Sequence, residues 1–455
     1  MKTRRILSIA TVAAAAVALP ACATGNGSAD EGDGDSVTLS VMGLPVESKT
    51  EERAAFMADV EAFEDEHPGI TIAPSEYQFD SQTFATMLAG GNVPTVLRVP
   101  FTEARTIIQR GQAQDITSEV GDLEHGSELN EDVMDLMSDD DGTVFGLPER
   151  AYSIGLLYNR SLFEDAGLDP DSPPATWDEL RDAAVALKDV AKVPYAELTT
   201  NNQGGWHVTM MTYSYGGDIE VEDGDSFIPV FDGSETVDAL EMVGDLRWED
   251  DVMGDQQLRD QSEALQQFAA GDIGMWLGSP DVFTGYTTNF DGAPEIFGVG
   301  PMPQAGGNAT LSGGWTTMVS GTASDAERTA AVEWMDFKNL RQRYDPDVAA
   351  EQAAADSDAG VPVGIPEVPL FDEETTTAVN DAISDYVTFP QENAQAYVDA
   401  LGDITLKAEP PVAGQEIYSA LDTVIQGVLA DQGADVDALL ATAMDQAEAA
   451  IGRQQ

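Results

Sequence analysis

The chain has 455 residues, 82 acidic and 21 basic, giving a formal net charge of −61 at neutral pH. That balance excludes nucleic acid and anionic membrane surfaces as partners, because both are held by basic patches. Length and a hydrophobic content of 42% predict sizeable cores in two lobes, and the acids are spread along the chain as a solvated surface suited to salty surroundings, in preference to a trap for a cationic ligand.

At the N-terminus, Lys2, Arg4 and Arg5 precede 14 uncharged residues from Ile6 to Leu19. This is the layout of a secretory signal, and it is shorter than the roughly 18 residues of a membrane span. The run ends in Leu19-Pro20-Ala21-Cys22, which resembles the bacterial lipoprotein signal and implies removal of residues 1–21 and lipidation of Cys22. An unmodified cysteine inside an ordinary cleaved signal is the other reading. Cys22 is the only cysteine, so disulfides and cysteine-rich metal frameworks are excluded. Residues 22–36 are small, polar and acidic and read as a flexible tether.

Beyond the tether, strands and helices alternate, which predicts an α/β fold. Val37, Leu39 and Val41 alternate with Thr38 and Ser40 as in a half-buried strand. Phe56, Val60 and Phe63 recur at helical spacing, and His67-Pro68-Gly69 stops that helix before a strand at Ile70-Thr71-Ile72. Thr176 with Glu179, and Ser324 with Glu327, predict capping boxes that open helices. Ile417, Ala420, Leu421, Val424, Ile425 and Val428 form one apolar stripe near the end.

Motifs of covalent chemistry are missing. His67, His125 and His207 make no metal-ligand spacing and read as turn or surface residues. There is no nucleophile elbow and no Walker A loop, and carboxylates are too abundant for a glycosidase-like pair to mean anything. The expectation is a binding protein with no cofactor, no metal and no catalytic residue; a secreted polysaccharide-acting enzyme is the competing class.

An ordered series of segments carries a resemblance that covers nearly the whole chain after the tether. It runs through Phe63 to Ile70, Leu88 to Pro94, Asp141 to Pro148, Leu157-Tyr158-Asn159-Arg160, Leu162 to Leu168 and Pro174 to Leu180. It continues in Phe268-Ala269-Ala270-Gly271-Asp272-Ile273-Gly274-Met275 and Ser312-Gly313-Gly314-Trp315. These resemble the extracellular solute-binding proteins of bacterial ABC importers, in the sugar-binding family that includes maltose-binding protein.

The resemblance implies an α/β, two-lobed periplasmic-binding-protein-like fold with a hinge of crossing strands and a ligand cleft between the lobes. Crossings map near Pro148 to Tyr152, near Ser312 to Trp315 and around Asn339 to Pro346. Residues 37–149 plus 313–342 form the first lobe and residues 150–312 plus 343–455 the second. It further implies a monomer anchored through Cys22 on the extracellular face of the cell membrane, delivering a mono- or oligosaccharide to a membrane permease. The same architecture could carry a glycerol-phosphate ester or another polar solute, with Arg98 or Arg150 on the anion.

Sugars offer apolar ring faces to aromatic side chains and hydroxyls to carboxylate, amide and guanidinium groups. Candidate ligand residues are chosen on that basis. Met42 and Gly43 end the first strand, where α/β sheets present ligand loops, and Tyr77, Arg98 and Pro100 follow later strands. Glu149 and Tyr152 flank the first crossing, and Gly314 and Trp315 lie at the second. Trp206 follows the polar stretch Asn201-Asn202-Gln203-Gly204-Gly205. Trp276 lies in the apolar run Ile273 to Leu277, where a plain core strand is an equal reading. Asp281 stands where the resemblance implies an aromatic ring, which favours a smaller or more polar ligand. Trp177, Trp248 and Trp334 lie on helical patterns and read as structural.

Overall fold

A computed structural model describes residues 36–454 other than 140 and 225. The signal, Cys22 and nearly all of the tether lie outside the described residues. In chain order the strands are β1 (Val37–Val41), β2 (Ile70–Pro74), β3 (Val96–Pro100), β4 (Gly146–Ser153), β5 (Gly155–Asn159), β6 (Val193–Ala196), β7 (Glu220–Asp223), β8 (Ser226–Pro229), β9 (Ile273–Gly278), β10 (Phe297–Gly300), β11 (Ala309–Val319) and β12 (Thr405–Lys407).

The first sheet runs β12-β11-β3-β1-β2, with β4 also on β11. Its hydrophobic pattern is the period-two signal of a sheet covered on both faces. Leu39, Val41 and Val96 join a cluster with Phe56, Val60 and Phe63 of the helix Thr50–Glu66. Leu97 and Val99 point the other way, into a cluster with Phe84, Ile107 and Ile108. The second sheet, β10-β5-β9-β6, repeats the arrangement. Leu156, Tyr158, Met275 and Leu277 face one cluster, while Leu157, Trp276, Phe297 and Val299 face another.

The sequence signals for local structure correspond to real elements. Both expected capping boxes close, at Thr176 with Glu179 and at Ser324 with Glu327. The apolar stripe from Ile417 to Val428 is the buried face of the helix Gly414–Ala430. Its five large aliphatic residues contribute on the order of 10 kcal/mol before chain entropy is subtracted, enough to fix the segment that leads into it.

Two strand connections join the sheets. β4 passes into β5 through Ile154 alone, and β11 follows β10 and pairs with β12, β4 and β3 along its length. The stretch expected as a third crossing is helical instead, as Asp336–Leu340 and Arg341–Tyr344. Tyr344 packs on Phe371, and Val368, Leu370 and Phe371 complete the cluster of the first sheet. These residues were expected with the second lobe. The chain reaches the second sheet's cluster at Phe389, Ala394 and Tyr397.

His207 also departs from expectation. It is fully buried, with Nδ1 2.6 Å from Glu197 Oε1, while the Tyr195 hydroxyl donates to the other Glu197 oxygen at 2.8 Å. A buried carboxylate and imidazole pay for their desolvation only through such pairing, and no local sequence feature announces it.

Candidate functional site

Beside the strands that join the sheets, a cavity of about 280 Å3 is lined by Tyr152, Asn201, Asn202, Gln203, Trp206, Gln261, Ser279, Asp281, Glu409, Gln415 and Tyr418. Each wall has a local cause. Tyr152 comes from β4, opposite Gly313 of β11. A Cβ on Gly313 would lie 2.3 Å from the Tyr152 hydroxyl, so the ring can fold over the neighbouring strand only because that residue is glycine. Ser279 and Asp281 follow β9, with Asp281 in the short turn Pro280–Val282.

The wall of amides and Trp206 is the start of the helix Gln203–Tyr215. Asn201 and Asn202 both take left-handed backbone (φ 60° and 67°), which asparagine tolerates better than most residues. Asp422, from the helix Gly414–Ala430, accepts from the N–H of Asn202 and of Gly205 at 2.8 Å each. It thereby satisfies helix-start donors that have no intrahelical partner. A Cβ on Gly205 would meet the Tyr418 carbonyl oxygen at 2.1 Å, so the two helices meet backbone to backbone. What reads in sequence as a flexible polar loop is therefore a fixed helix start. Asn202 Nδ2 donates to Gln415 at 3.1 Å and Asn201 Nδ2 to Asp260 at 3.2 Å, which orients both amides.

Glu409 occupies the far wall. The Tyr418 hydroxyl donates to its Oε1 at 3.3 Å, and the Trp206 side chain is a second donor. Burial pushes its carboxyl up to about 7, against the lowering effect of these two hydrogen bonds. Burial likewise holds the Tyr152 hydroxyl well above its usual range, with Glu409 and Asp281 adding to the effect and Arg150 opposing it. Among the described residues the Ser279 hydroxyl is buried with no hydrogen-bond partner. It thus offers unused hydrogen-bonding capacity on the cavity wall.

Adjoining the cavity is a second polar stretch on the crossing strands. Trp315 lies opposite Arg150 and Thr316 opposite Pro148, so Glu149 is the extra residue of a β-bulge. The bulge re-aims its carboxylate. Arg98 reaches it with two parallel bonds, 2.5 Å from Nε and 2.8 Å from the terminal nitrogen, and lies 4.0 Å over the Trp315 ring. Arg150 links the two stretches, 3.5 Å from Asp281 and beside Trp315 in the register.

The structure thus sorts the sequence candidates. Tyr152, Trp206 and Asp281 line the cavity. Arg98, Glu149 and Trp315 form the neighbouring cluster, with Pro100 opposite Trp315. Gly43 has φ +99° and leaves room for Arg98, whose Cδ would be 3.2 Å from an added Cβ. Gly314 serves packing, since a Cβ there would strike the Arg150 carbonyl oxygen at 2.0 Å. Met42 is buried in the first lobe's second cluster, and Tyr77 packs against it. Trp276 is fully buried in the core of the second sheet and does not line the cavity. Trp177, Trp248 and Trp334 are structural as expected: the first two donate their indole N–H to Ser214 and to the Val428 carbonyl, and Trp334 is buried against Phe56 and Phe63.

Asn201, Asn202, Gln203, Gln261, Ser279, Glu409, Gln415 and Tyr418 were not among the candidates. The first three sit beside Trp206, and Ser279 beside Asp281, so adjacency was an available signal. Glu409 and Tyr418 carried none. A separate hollow lined by Gln114, Asp115, Ser118, Glu119 and Arg328 has no aromatic ring, and its arginine is held by Glu119 at 2.7 Å. Among the described residues no cluster of His, Cys, Asp and Glu could hold a metal ion, and no helix is long and apolar enough to cross a membrane.

Residues 47–337 match the sequence model of a family described as bacterial extracellular solute-binding proteins. The sn-glycerol-3-phosphate-binding periplasmic protein of Agrobacterium fabrum is 26% identical over 233 residues, 49% of this chain. The chain spans 51% of that relative's length. Among solved structures, the cyclic alpha-maltosyl-1,6-maltose binding protein of Arthrobacter globiformis superposes with a TM-score of 0.69 at 23% identity, over 92% of this chain and 99% of that one. A Mycobacterium tuberculosis protein in complex with glycerophosphocholine gives 0.66 at 16% identity, over 93% and 100%. Both show the two-lobed fold.

Proposed function

Since the chain belongs to the bacterial extracellular solute-binding protein family, we propose that it captures a mono- or oligosaccharide in the cavity beside the crossing strands and hands it to the permease of an ABC importer. The observation that carries this reading is the convergence of three rings, Tyr152, Trp206 and Tyr418, with five side-chain amides in one hollow. Rings stack on the apolar faces of sugars and amides pair with hydroxyls in both directions. At about 280 Å3 the cavity is at the small end of the usual range of roughly 300–1,000 Å3, which favours one or two sugar units over a long oligomer. Arrangement around a ligand that touches both lobes would favour the closed state.

The relative named for glycerol 3-phosphate supports a second reading, an anionic ester held by Arg150 or Arg98. Against it, Arg98 is already bound by Glu149, Arg150 faces Asp281, and Glu409 adds a further carboxylate to the cavity. Lipid attachment at Cys22, a monomeric state and the absence of covalent chemistry complete the proposal. So does a division in which residues up to about 371 after the second crossing belong with the first lobe. Thermal-shift screening across neutral sugars, polyols and phosphate esters tests the cargo, because a ligand that binds only the native state raises its stability. A rise with neutral sugars is expected; a rise confined to phosphate esters refutes the carbohydrate reading. New reducing ends on incubation with oligosaccharides would refute the binding-only role.

A further inference from the structure

Of the two carboxylates that line the cavity, Asp281 and Glu409, only Glu409 has no cation among the described residues. Arg98 neutralises Glu149 and Arg150 lies 3.5 Å from Asp281. Among the described residues only the uncharged donors Tyr418 and Trp206 are paired with Glu409. A carboxylate has about four acceptor directions, so two donors leave roughly two unfilled on a wall of the ligand cavity. Two acceptor sites on one planar group match two adjacent hydroxyls of a sugar ring, and they repel a phosphate.

Resting on the carbohydrate reading above, we propose that Glu409 is the specificity-determining acceptor of the site and that capture of a sugar is coupled to release of its proton. In the empty cavity, burial holds the Glu409 carboxyl at about 7, so near neutrality it is divided between the two protonation states. Ligand hydroxyls donate to the carboxylate, which favours the ionised form. By linkage, a ligand that prefers the ionised form binds more tightly as pH rises through that range. The tyrosine hydroxyls facing Glu409 do not titrate there. Tyr152 from β4, Tyr213 from the Trp206 helix and Tyr418 from the helix Gly414–Ala430 all have hydroxyls raised above their usual value. Asp281, on the same cavity, is paired with Arg150 at 3.5 Å, and Lys407, two residues away, is engaged by Asp218 at 2.6 Å.

The test is calorimetric titration of the intact chain with D-glucose, maltose, trehalose and D-mannitol, with glycerol 3-phosphate as the anionic probe. For the sugar that binds, affinity should be about tenfold higher near pH 8 than near pH 6. Heats measured in two buffers of different ionisation enthalpy should show a proton released on binding. Glu409→Gln keeps the shape and removes the titration; it should weaken sugar binding near pH 8 by about tenfold and flatten the pH dependence. If the variant does not fold, the two-buffer measurement on the unaltered chain decides alone. Sugar binding with equal affinity at both pH values and no proton release overturns the role of Glu409 and leaves the carbohydrate reading standing. Binding of glycerol 3-phosphate with none of the sugars overturns both.

Discussion

The crossing strands carry two neighbouring polar stretches built from the same kinds of residue, and they differ in how completely they are satisfied. In the cluster of Arg98, Glu149 and Trp315, the guanidinium has a bidentate carboxylate on one side and an indole face on another. In the cavity, among the described residues, Glu409 has no cation and the Ser279 hydroxyl has no partner. The first stretch is complete in the protein alone and acts as a brace for the hinge. The second is left open, as the proposed ligand site requires. Charged and aromatic residues at a crossing thus do not by themselves mark a ligand site; the proposed site combines them with unfilled hydrogen-bonding capacity facing a cavity.

The contrast can be broken most severely at the base of the cavity. Gly205→Val puts a branched side chain where even a Cβ would be 2.1 Å from the Tyr418 carbonyl. It should cost about 3 kcal/mol of stability in denaturant melts, by overpacking, and abolish ligand binding. Stability unchanged within experimental error would show that the two helices are not held in this contact.

Next in size is the aromatic wall. Trp206→Ala should weaken sugar binding by about 2 kcal/mol, whereas Trp315→Ala, whose ring is already covered by Arg98, should cost less. A titration in which Trp315 proves the more costly loss reverses the ranking of the two stretches.

A smaller effect separates cavity acids from buried acids elsewhere. Glu220 accepts from the Val412 N–H at 3.0 Å, and burial pushes its carboxyl from 4.5 up to about 8. The folded chain therefore holds this proton when the unfolded chain has lost it. Stability falls as pH rises from the unfolded value through about 8. Glu220→Gln should remove that loss, raising stability near pH 8 by about 1 kcal/mol after allowance for solvent screening and changing little near pH 4, as thermal melts would reveal. Equal effects at both pH values would assign the change to packing.

The smallest effect is expected in the brace. Arg98→Lys loses the bidentate geometry and the planar stacking but keeps the charge, at a cost of about 0.5–1 kcal/mol in stability. A larger drop in sugar affinity than in stability would move Arg98 into the binding site.

How far the sequence could be read follows from the range of the interactions concerned. Caps, strand alternation and the apolar stripe of the helix Gly414–Ala430 are set within a few residues, and Thr176, Ser324 and Ile417 signalled them correctly. Tyr152 and Trp206 were accessible because they lie at a crossing or beside unusual local composition, and Asp281 because the resemblance implies an aromatic ring at its position. Trp276 misled in the opposite sense, since an apolar strand with one tryptophan looks the same whether its ring faces a cleft or a core. Glu409 and Tyr418 reach the cavity only because the helix Gly414–Ala430 packs against the helix start at Gln203, a contact more than 200 residues apart in the chain. Asp422 belongs to the same class, and so does the buried pair of His207 and Glu197, whose meaning depends on the finished fold.

The claim that this cavity captures a neutral sugar is tested most directly by following Trp206. Its fluorescence should change saturably on titration with at least one neutral sugar, and the response and the calorimetric binding should both vanish in Trp206→Ala while the variant still melts cooperatively. Saturable binding of a sugar that persists unweakened in Trp206→Ala, or binding of glycerol 3-phosphate in preference to every sugar, would contradict it.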